Sequence, residues 1–371
     1  MKHTSLFEYH RKNAKMVEFA GYEMPIWYTN ITEEHLAVRN ESGIFDVSHM
    51  GRVIVRGPDA GKFVDHLVPT HAINQPVGKS FYTLLLSERA GIIDDLIVIK
   101  RSEDDYLLVV NAATTSKDLD HINGIRNGFD ITLENIKEST TMIAIQGPDA
   151  TKTLQPHARV NLAELKRFRS AESKVSNCQA TLTRTGYTGE DGYEIILYDS
   201  GPANSKPAIE IWTNLARTSK PCGLGARDSL RLEAGLPLYG SDIDESTNPI
   251  EADLFWVISK DKKNFIGSQR LNELAAQQPL RMRRGLLLHE RIPRSDFEVT
   301  NTGGESIGTV TSGTFSPILK KGIALAYIRF NESQINNHVK VNVRGAYADA
   351  DIVKPPFYDE HRYGWKRDNS K

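Results

Sequence analysis

Cysteine is scarce in this chain: 371 residues contain two, Cys178 and Cys222. Two cysteines at that separation have neither metal-site spacing nor the density of a disulfide scaffold. They read as reduced thiols of a cytosolic-type protein. An excess of charge is missing as well, with 46 basic against 47 acidic residues and a net charge of -1. That balance supplies no global field for nucleic acid, and no nucleic-acid partner is expected. The one dense basic run, Arg281-Met282-Arg283-Arg284, reads as a solvated linker. Long apolar runs are absent too, since none approaches the roughly 20 residues of a membrane span. The N-terminus, Met1-Lys2-His3-Thr4-Ser5-Leu6, has no apolar core like that of a signal peptide. No membrane association is expected. The expected location is cytoplasmic, or the mitochondrial matrix for a eukaryotic chain whose targeting segment has been removed.

What remains is an ordinary globular composition, 39% hydrophobic and 25% charged, with material for two or three domains at about 100–200 residues each. One stretch organises it: Gly91-Ile92-Ile93-Asp94-Asp95-Leu96-Ile97-Val98-Ile99. Six of its nine residues are Ile, Leu or Val, the composition of a strand packed on both faces. Two carboxylates inside such a strand are costly unless paired or hydrogen-bonded. Neighbouring strand residues point to opposite faces, so only one of them can enter a given cavity. The functional reading places one carboxylate in a binding pocket. The bland reading is a strand-end pair held by a local Arg or by backbone amides.

Around this strand the chain has recognisable punctuation. Glu33 to Arg39 reads as a helix capped at Thr32. His49 has no second His at metal spacing and reads as a hydrogen-bonded structural residue, while Met50 beside a glycine either fills the core or lines a pocket. Val53-Ile54-Val55-Arg56-Gly57-Pro58-Asp59-Ala60 and Ile143-Ala144-Ile145-Gln146-Gly147-Pro148-Asp149-Ala150 echo each other. Each is an apolar strand, a Gly-Pro turn and an Asp placed to cap a helix. The repeat points to an α+β core with antiparallel sheet. Phe81 to Leu86 and the Asp94-Asp95 strand form a hairpin, with Gly91 available for a positive φ. Asn111, at the end of the Tyr106–Val110 strand, either reads a ligand or starts a turn.

The loop Arg184-Thr185-Gly186-Tyr187-Thr188-Gly189-Glu190 leads to Glu194. It lacks the Gly-Lys-Ser/Thr of a Walker phosphate loop. Its glycines permit close approach of a flat ligand and Tyr187 offers stacking area with a polar tip; the bland reading is a long hairpin. Arg227 either pairs with its neighbour Asp228 or holds a carboxylate or polar ring edge. Leu254-Phe255-Trp256-Val257 reads as buried core. Five short strands follow at 285–288, 306–311, 323–328, 338–343 and 348–353, the spacing of a small β sandwich or barrel.

Seven motifs carry a family resemblance in order along nearly the whole chain. They are Gly21-Tyr22-Glu23-Met24-Pro25, Phe45-Asp46-Val47-Ser48-His49-Met50-Gly51, Gly91-Ile92-Ile93-Asp94-Asp95-Leu96, Arg184 to Glu190, Gly223-Leu224-Gly225-Ala226-Arg227-Asp228, Arg231-Leu232-Glu233 and Thr311-Ser312-Gly313-Thr314-Phe315-Ser316-Pro317. Together they resemble the aminomethyltransferases of the glycine cleavage system, the T-protein family. The resemblance implies an α+β fold: three domains in a cloverleaf around a central folate pocket, antiparallel sheets with helices, and a C-terminal β-barrel. The expected division is 1–260 for the folate-binding region with two interleaved subdomains, 261–282 for a connector and 283–371 for the barrel. It implies tetrahydrofolate as co-substrate, no metal, and the lipoyl-carrying H-protein as partner.

The resemblance also assigns residues. Asp95 matches the essential Asp near the reacting folate nitrogens, with Asp94 left to structure. Met50, Tyr82 and Asn111 match positions around the pterin, Glu194 the carboxylate on its edge and Arg227 its basic partner. Tyr187 is taken with them, and Tyr363 corresponds to a tail position in some members. Ala90 departs from the pattern, where many members have a second Gly. Three other readings share the fold: a folate-dependent demethylase, against which the intact Asp94-Asp95 strand argues; a non-catalytic folate-binding regulatory protein, whose relatives carry a Cys-containing motif at the Arg184–Glu190 stretch; and the folate domain of an amine oxidase, whose flavin fingerprint this chain lacks.

Overall fold

Strands of two to eleven residues assemble into two open sheets, a closed barrel and a short hairpin. The structure, a computed structural model, describes residues 1–367. The five-stranded sheet has the order Ser80–Leu86, Ile92–Ser102, Asp105–Val110, Gly51–Arg56, Thr132–Asn135. The six-stranded sheet runs Ser170–Val175, Cys178–Thr183, Gly192–Leu197, Thr141–Gln146, Gly43–Asp46, Lys220–Pro221. All its pairs are antiparallel except the last, which is parallel. The barrel closes through Arg281–Leu288, Lys321–Arg329, Ser306–Ser316, Glu298–Thr300, His338–Val343 and Ala346–Val353. Five of these strands are those read from the sequence. The sixth, Glu298–Thr300, is three residues long and too short for a period-2 signal.

The Ile92–Ser102 strand is packed on both faces, as its composition requires. On one side Phe81, Leu85, Leu96, Val98 and Leu108 share a core with Phe63, Val64 and Leu67 of the helix Ala60–Leu67. On the other, Ile54, Ile99, Leu107 and Val109 meet Phe45, Val47, Met142, Ala144 and Ile196 of the six-stranded sheet. The far face of the six-stranded sheet is covered by Ile211, Trp212 and Leu215 of the helix Lys206–Leu215. The helix Leu224–Glu233 reaches the barrel through Leu232, which packs on Ile323 and Leu325.

The strand–Gly-Pro–helix repeat lies one copy in each open sheet, leading into the helices Ala60–Leu67 and Ala150–Leu154. Gly57 (φ 140) and Gly147 (φ 123) take the left-handed region, and a Cβ there would meet a carbonyl oxygen at 2.4 Å and 2.5 Å. Asp59 and Asp149 do not cap their helices through their side chains. Asp59 instead binds Lys62 and the amide of Asp130.

Other expectations are corrected. The helix Ile31–Asn40 is capped by Asn30, whose side chain accepts from the amide of Glu33, and not by Thr32. In the Ser87–Gly91 turn the positive φ falls on Ala90 (φ 61) and not on Gly91. Gly91 is required for close approach: a Cβ there would lie 2.2 Å from the Glu245 carbonyl oxygen. In the segment 254–257, Leu254 and Val257 are buried, but Phe255 is 45% and Trp256 70% exposed. The 3-10 turn Phe255–Val257 directs two consecutive side chains outward, which an apolar run in the sequence does not show.

Candidate active site

The register of the Ser80–Leu86 and Ile92–Ser102 strands sets the geometry. Leu84 pairs with Asp95 and Leu85 with Asp94, and a bulge then shifts the pairing so that Leu86 meets Ile92. The two carboxylates therefore project from opposite faces. Asp94 enters the side of the Phe63 core and is fully buried. Asp95 enters the opposite side, with Tyr82 and Ile97, and is half-buried.

Asn111 ties both together from the end of the neighbouring strand. Its backbone amide donates to Asp94 Oδ2 at 2.9 Å. Its side-chain Nδ2 donates to Asp94 Oδ1 at 2.9 Å and to Asp95 Oδ1 at 2.8 Å. The Tyr82 hydroxyl donates to Asp95 Oδ2 at 3.0 Å. Among the described residues no Arg pairs with either carboxylate, so the ion-pair reading fails. The amide reading describes Asp94, whereas Asp95 keeps an open side. Burial, and then the charge of Asp94, push the Asp95 carboxyl up to about 7, against the hydrogen bonds from Tyr82 and Asn111.

The loop between Thr183 and Gly192 is a long hairpin, since its flanking strands are antiparallel neighbours. It is also folded inward. Tyr187 donates its hydroxyl to the Pro237 carbonyl, and the Arg227 guanidinium lies 4.8 Å from the centre of its ring. Glu194, on the adjacent strand, accepts from the Thr185 hydroxyl. Burial pushes Glu194 up, with Thr185 and Arg227 opposing; burial pushes Arg227 down, with Glu194 and Tyr187 opposing. Asp228 pairs with Arg231 and not with Arg227. Among the described residues the Arg227 guanidinium donates no side-chain hydrogen bond, leaving a planar fork beside a partly committed carboxylate.

Met50, Tyr82, Asp95, Asn111, Tyr187, Glu194 and Arg227 share one property: each is half-buried. Six of them, from two sheets and a helix, are linked by hydrogen bonds or charge, and Met50 packs on the core between the sheets; partly exposed side chains so grouped are the lining a recess requires. Charge links both halves of the recess at Tyr187: burial raises its hydroxyl first, Arg231 opposes, and Asp95 from one half raises it while Arg227 from the other lowers it. Tyr363 stands apart, with contacts to Asp359 and Arg362. The tail nevertheless docks on the same loop, where Trp365 donates its amide to the Gly189 carbonyl and Arg367 binds Glu190.

Among the described residues His49 is buried without a hydrogen-bond partner at Nδ1, contrary to the hydrogen-bonded residue expected. Burial, with Arg227 adding to it, holds it down to about 3 and therefore neutral. Trp256, taken from sequence for core, stacks on Tyr82 with ring centres 5.8 Å apart. Periodicity gave no sign of it, because its neighbours Leu254 and Val257 are core residues. A surface hollow lined by Lys152, His157 and Arg217 contains none of these side chains.

Fold and recess together define a class: an α+β protein with a C-terminal barrel and a buried-carboxylate site between its open sheets. The comparisons narrow it. Residues 6–262 match the family described as the GCVT N-terminal domain, and residues 281–359 match the glycine cleavage T-protein C-terminal barrel domain. The chain belongs to the glycine cleavage T-protein family. It is 44% identical to an aminomethyltransferase of Thermotoga petrophila over 365 residues, covering 96% of this chain and 98% of that one. A Thermus thermophilus aminomethyltransferase is 42% identical over 358 residues, covering 96% and 99%. The crystal structure of glycine cleavage system aminomethyltransferase T from Bartonella henselae superposes with a TM-score of 0.90 at 35% identity, covering 98% of this chain and 99% of that one.

Proposed function

We propose that this chain is the aminomethyltransferase of a glycine cleavage system. It moves the aminomethyl group from the lipoyl arm of H-protein to tetrahydrofolate, giving 5,10-methylenetetrahydrofolate, ammonia and dihydrolipoyl H-protein. Family membership over nearly the whole length supports the reaction class. The observation that carries the site assignment is the clamping of Asp95 by Tyr82 and Asn111 while the residue stays partly exposed.

The residues fit a folate. Arg227 and Glu194 present a donor fork and an acceptor to a polar ring edge, and Tyr187 and Met50 offer flat and flexible apolar area. Tetrahydrofolate supplies the nucleophilic nitrogens. Asp95 opposes the positive charge that develops at the reacting nitrogen and fixes its approach, an electrostatic and positioning role. Its raised pKa also suits it to hold or pass a proton as ammonia leaves. Tyr82 and Asn111 keep the carboxylate from rotating. Tyr363 enters the proposal only as part of the docked tail. We divide the chain at 1–260, 261–282 and 283–371; the helix Ser268–Ala275 falls in the connector, and the first barrel strand already begins at Arg281, two residues before the boundary. Among the described residues no helix is long and apolar enough to cross a membrane. The two unpaired thiols fit a cytoplasmic location.

The test is a coupled turnover assay with lipoylated, aminomethylated H-protein, with and without tetrahydrofolate, on wild type and Asp95→Asn. Folate-dependent ammonia release that collapses in the variant is expected. Tetrahydrofolate binding by calorimetry with no release from wild type would move the function to the demethylase or the binding protein.

A further inference from the structure

Behind Asp94 lies a third carboxyl that the reaction as described does not use. Asp118 sits in the first turn of the helix Thr115–Ile125 and is fully buried. Neither of its side-chain oxygens meets a hydrogen-bond donor in the described structure when it is ionised. It lies within hydrogen-bond reach of Asp94. The nearby Lys117 ammonium is committed elsewhere, to the Tyr239 hydroxyl at 2.7 Å and to Glu245 at 2.8 Å. Two buried carboxyls face each other here, and among the described residues no cation pairs with either. They cannot both ionise, so they share a proton.

Geometry says where that proton resides. Both oxygens of Asp94 already accept from Asn111, one from its amide and one from its side chain. Asp118 has only the Thr114 hydroxyl nearby, and that hydroxyl is directed to the Asn111 carbonyl at 3.3 Å, so Asp118 gains most by being the donor itself. We propose that Asp118 is a positioning residue of the active site: protonated, it donates a hydrogen bond to Asp94 and, through Asn111, holds the orientation and charge of Asp95. Burial first, then the charge of Asp94 and the hydrogen bond to it, favour the protonated form of Asp118, against the nearby Thr114 hydroxyl and then Lys117. The other groups facing the row are Tyr239 on the Asp94 side and Tyr82 and Tyr187 on the Asp95 side. Asn111 Nδ2 serves Asp94 Oδ1, Asp95 Oδ1 and the Asp95 carbonyl together. Loss of the Asp118 proton would set Asp94 and Asp118 in repulsion and release that clamp.

This proposal rests on the reading of Asp95 as the reacting carboxylate, and its test separates the two. Infrared spectra of the full chain are recorded from neutral to alkaline pH on wild type, Asp118→Asn and Asp118→Ala, beside pH profiles of kcat and of KM for tetrahydrofolate. Wild type should show a protonated-carboxyl band that titrates at alkaline pH and is missing from both variants. It should also show an alkaline fall in kcat that Asp118→Asn lacks, because the amide donates to Asp94 without titrating. Asp118→Ala should lose about tenfold in kcat, the effect of one charge-assisted hydrogen bond, with KM unchanged, and Asn should restore part of it. A band unaffected by Asp118→Asn, or an alkaline limb identical in that variant, would overturn the proposal. The band and its loss in a protein without aminomethyl transfer would overturn the reaction and leave the Asp118 proton in place.

Discussion

Asp95 ionises in a place where burial and a neighbouring carboxylate both oppose its charge. That tension is useful, because a cationic transition state relieves it. Asp95→Asn keeps the shape and one acceptor but removes the charge. It should lower kcat by about 10²–10³-fold while KM for tetrahydrofolate changes little, by analogy with loss of an electrostatic stabiliser; equal losses in both would mean a binding role. Tyr82→Phe removes a donor that favours the ionised form of Asp95. The carboxyl pKa then rises further, so the acid limb of the pH–rate profile should move to higher pH. Sequence alone placed Asp95 in a strand and its resemblance assigned the role. What it left open was Asn111, whose dual grip depends on a strand end that only pairing brings beside Asp94 and Asp95.

At the scale of elements, the hairpin carrying Asp94 and Asp95 is held by its turn. Ala90 spends its φ of 61 inside a core with Leu84, Leu86 and Phe265, and Gly91 lies against the Glu245 backbone. The roles inferred from residue type are thus exchanged. A glycine tolerates both a positive φ and a close neighbour, and the sequence does not say which is demanded. Gly91→Ala should destabilise the fold by roughly 1–3 kcal/mol, the usual cost of overpacking, seen as a lower midpoint in urea. Ala90→Gly should be nearly neutral, since relief of the backbone conformation is offset by about 0.8 kcal/mol for a lost buried methyl.

Across the whole molecule, one buried polar network joins the parts. Glu233, on the helix that reaches the barrel, accepts from His35 at 2.9 Å and from Arg39 at 3.0 Å, and Ser316 of the barrel donates to its other oxygen. Arg39 continues to Glu190, which Arg367 of the tail also binds. Burial alone would raise Glu233, but His35, Arg39 and Ser316 more than offset it and hold it down to about 2. Asp46 is likewise held down to about 2 by His10, Ser48 and Thr4 against its burial. Both folded pKa values lie below those of the unfolded chain. Their stabilisation is therefore present above the ordinary carboxylate range and is lost as pH falls towards about 2, at roughly 2–3 kcal/mol for each group. Acid unfolding followed by circular dichroism should begin at a lower pH in wild type than in Glu233→Gln or Asp46→Asn. Glu233→Ala leaves His35 and Arg39 short of a partner and should cost about 3–5 kcal/mol at neutral pH.

The sequence by itself determined the local facts: the strands by their apolar composition, the turns by Gly and Pro, the five longer barrel strands by their spacing, and the family by seven motifs in order. These depend on neighbours along the chain. Tertiary structure alone decided which surfaces meet. It turned Trp256 outward onto Tyr82, left Arg227 without Asp228, buried Glu34, His35 and Arg39 in a helix that sequence reads by its apolar residues, and set Asp118 behind Asp94. Burial, the cost of an unpaired charge and the room left for a Cβ are properties of contacts between residues distant in sequence, and they exist only once the sheets have packed.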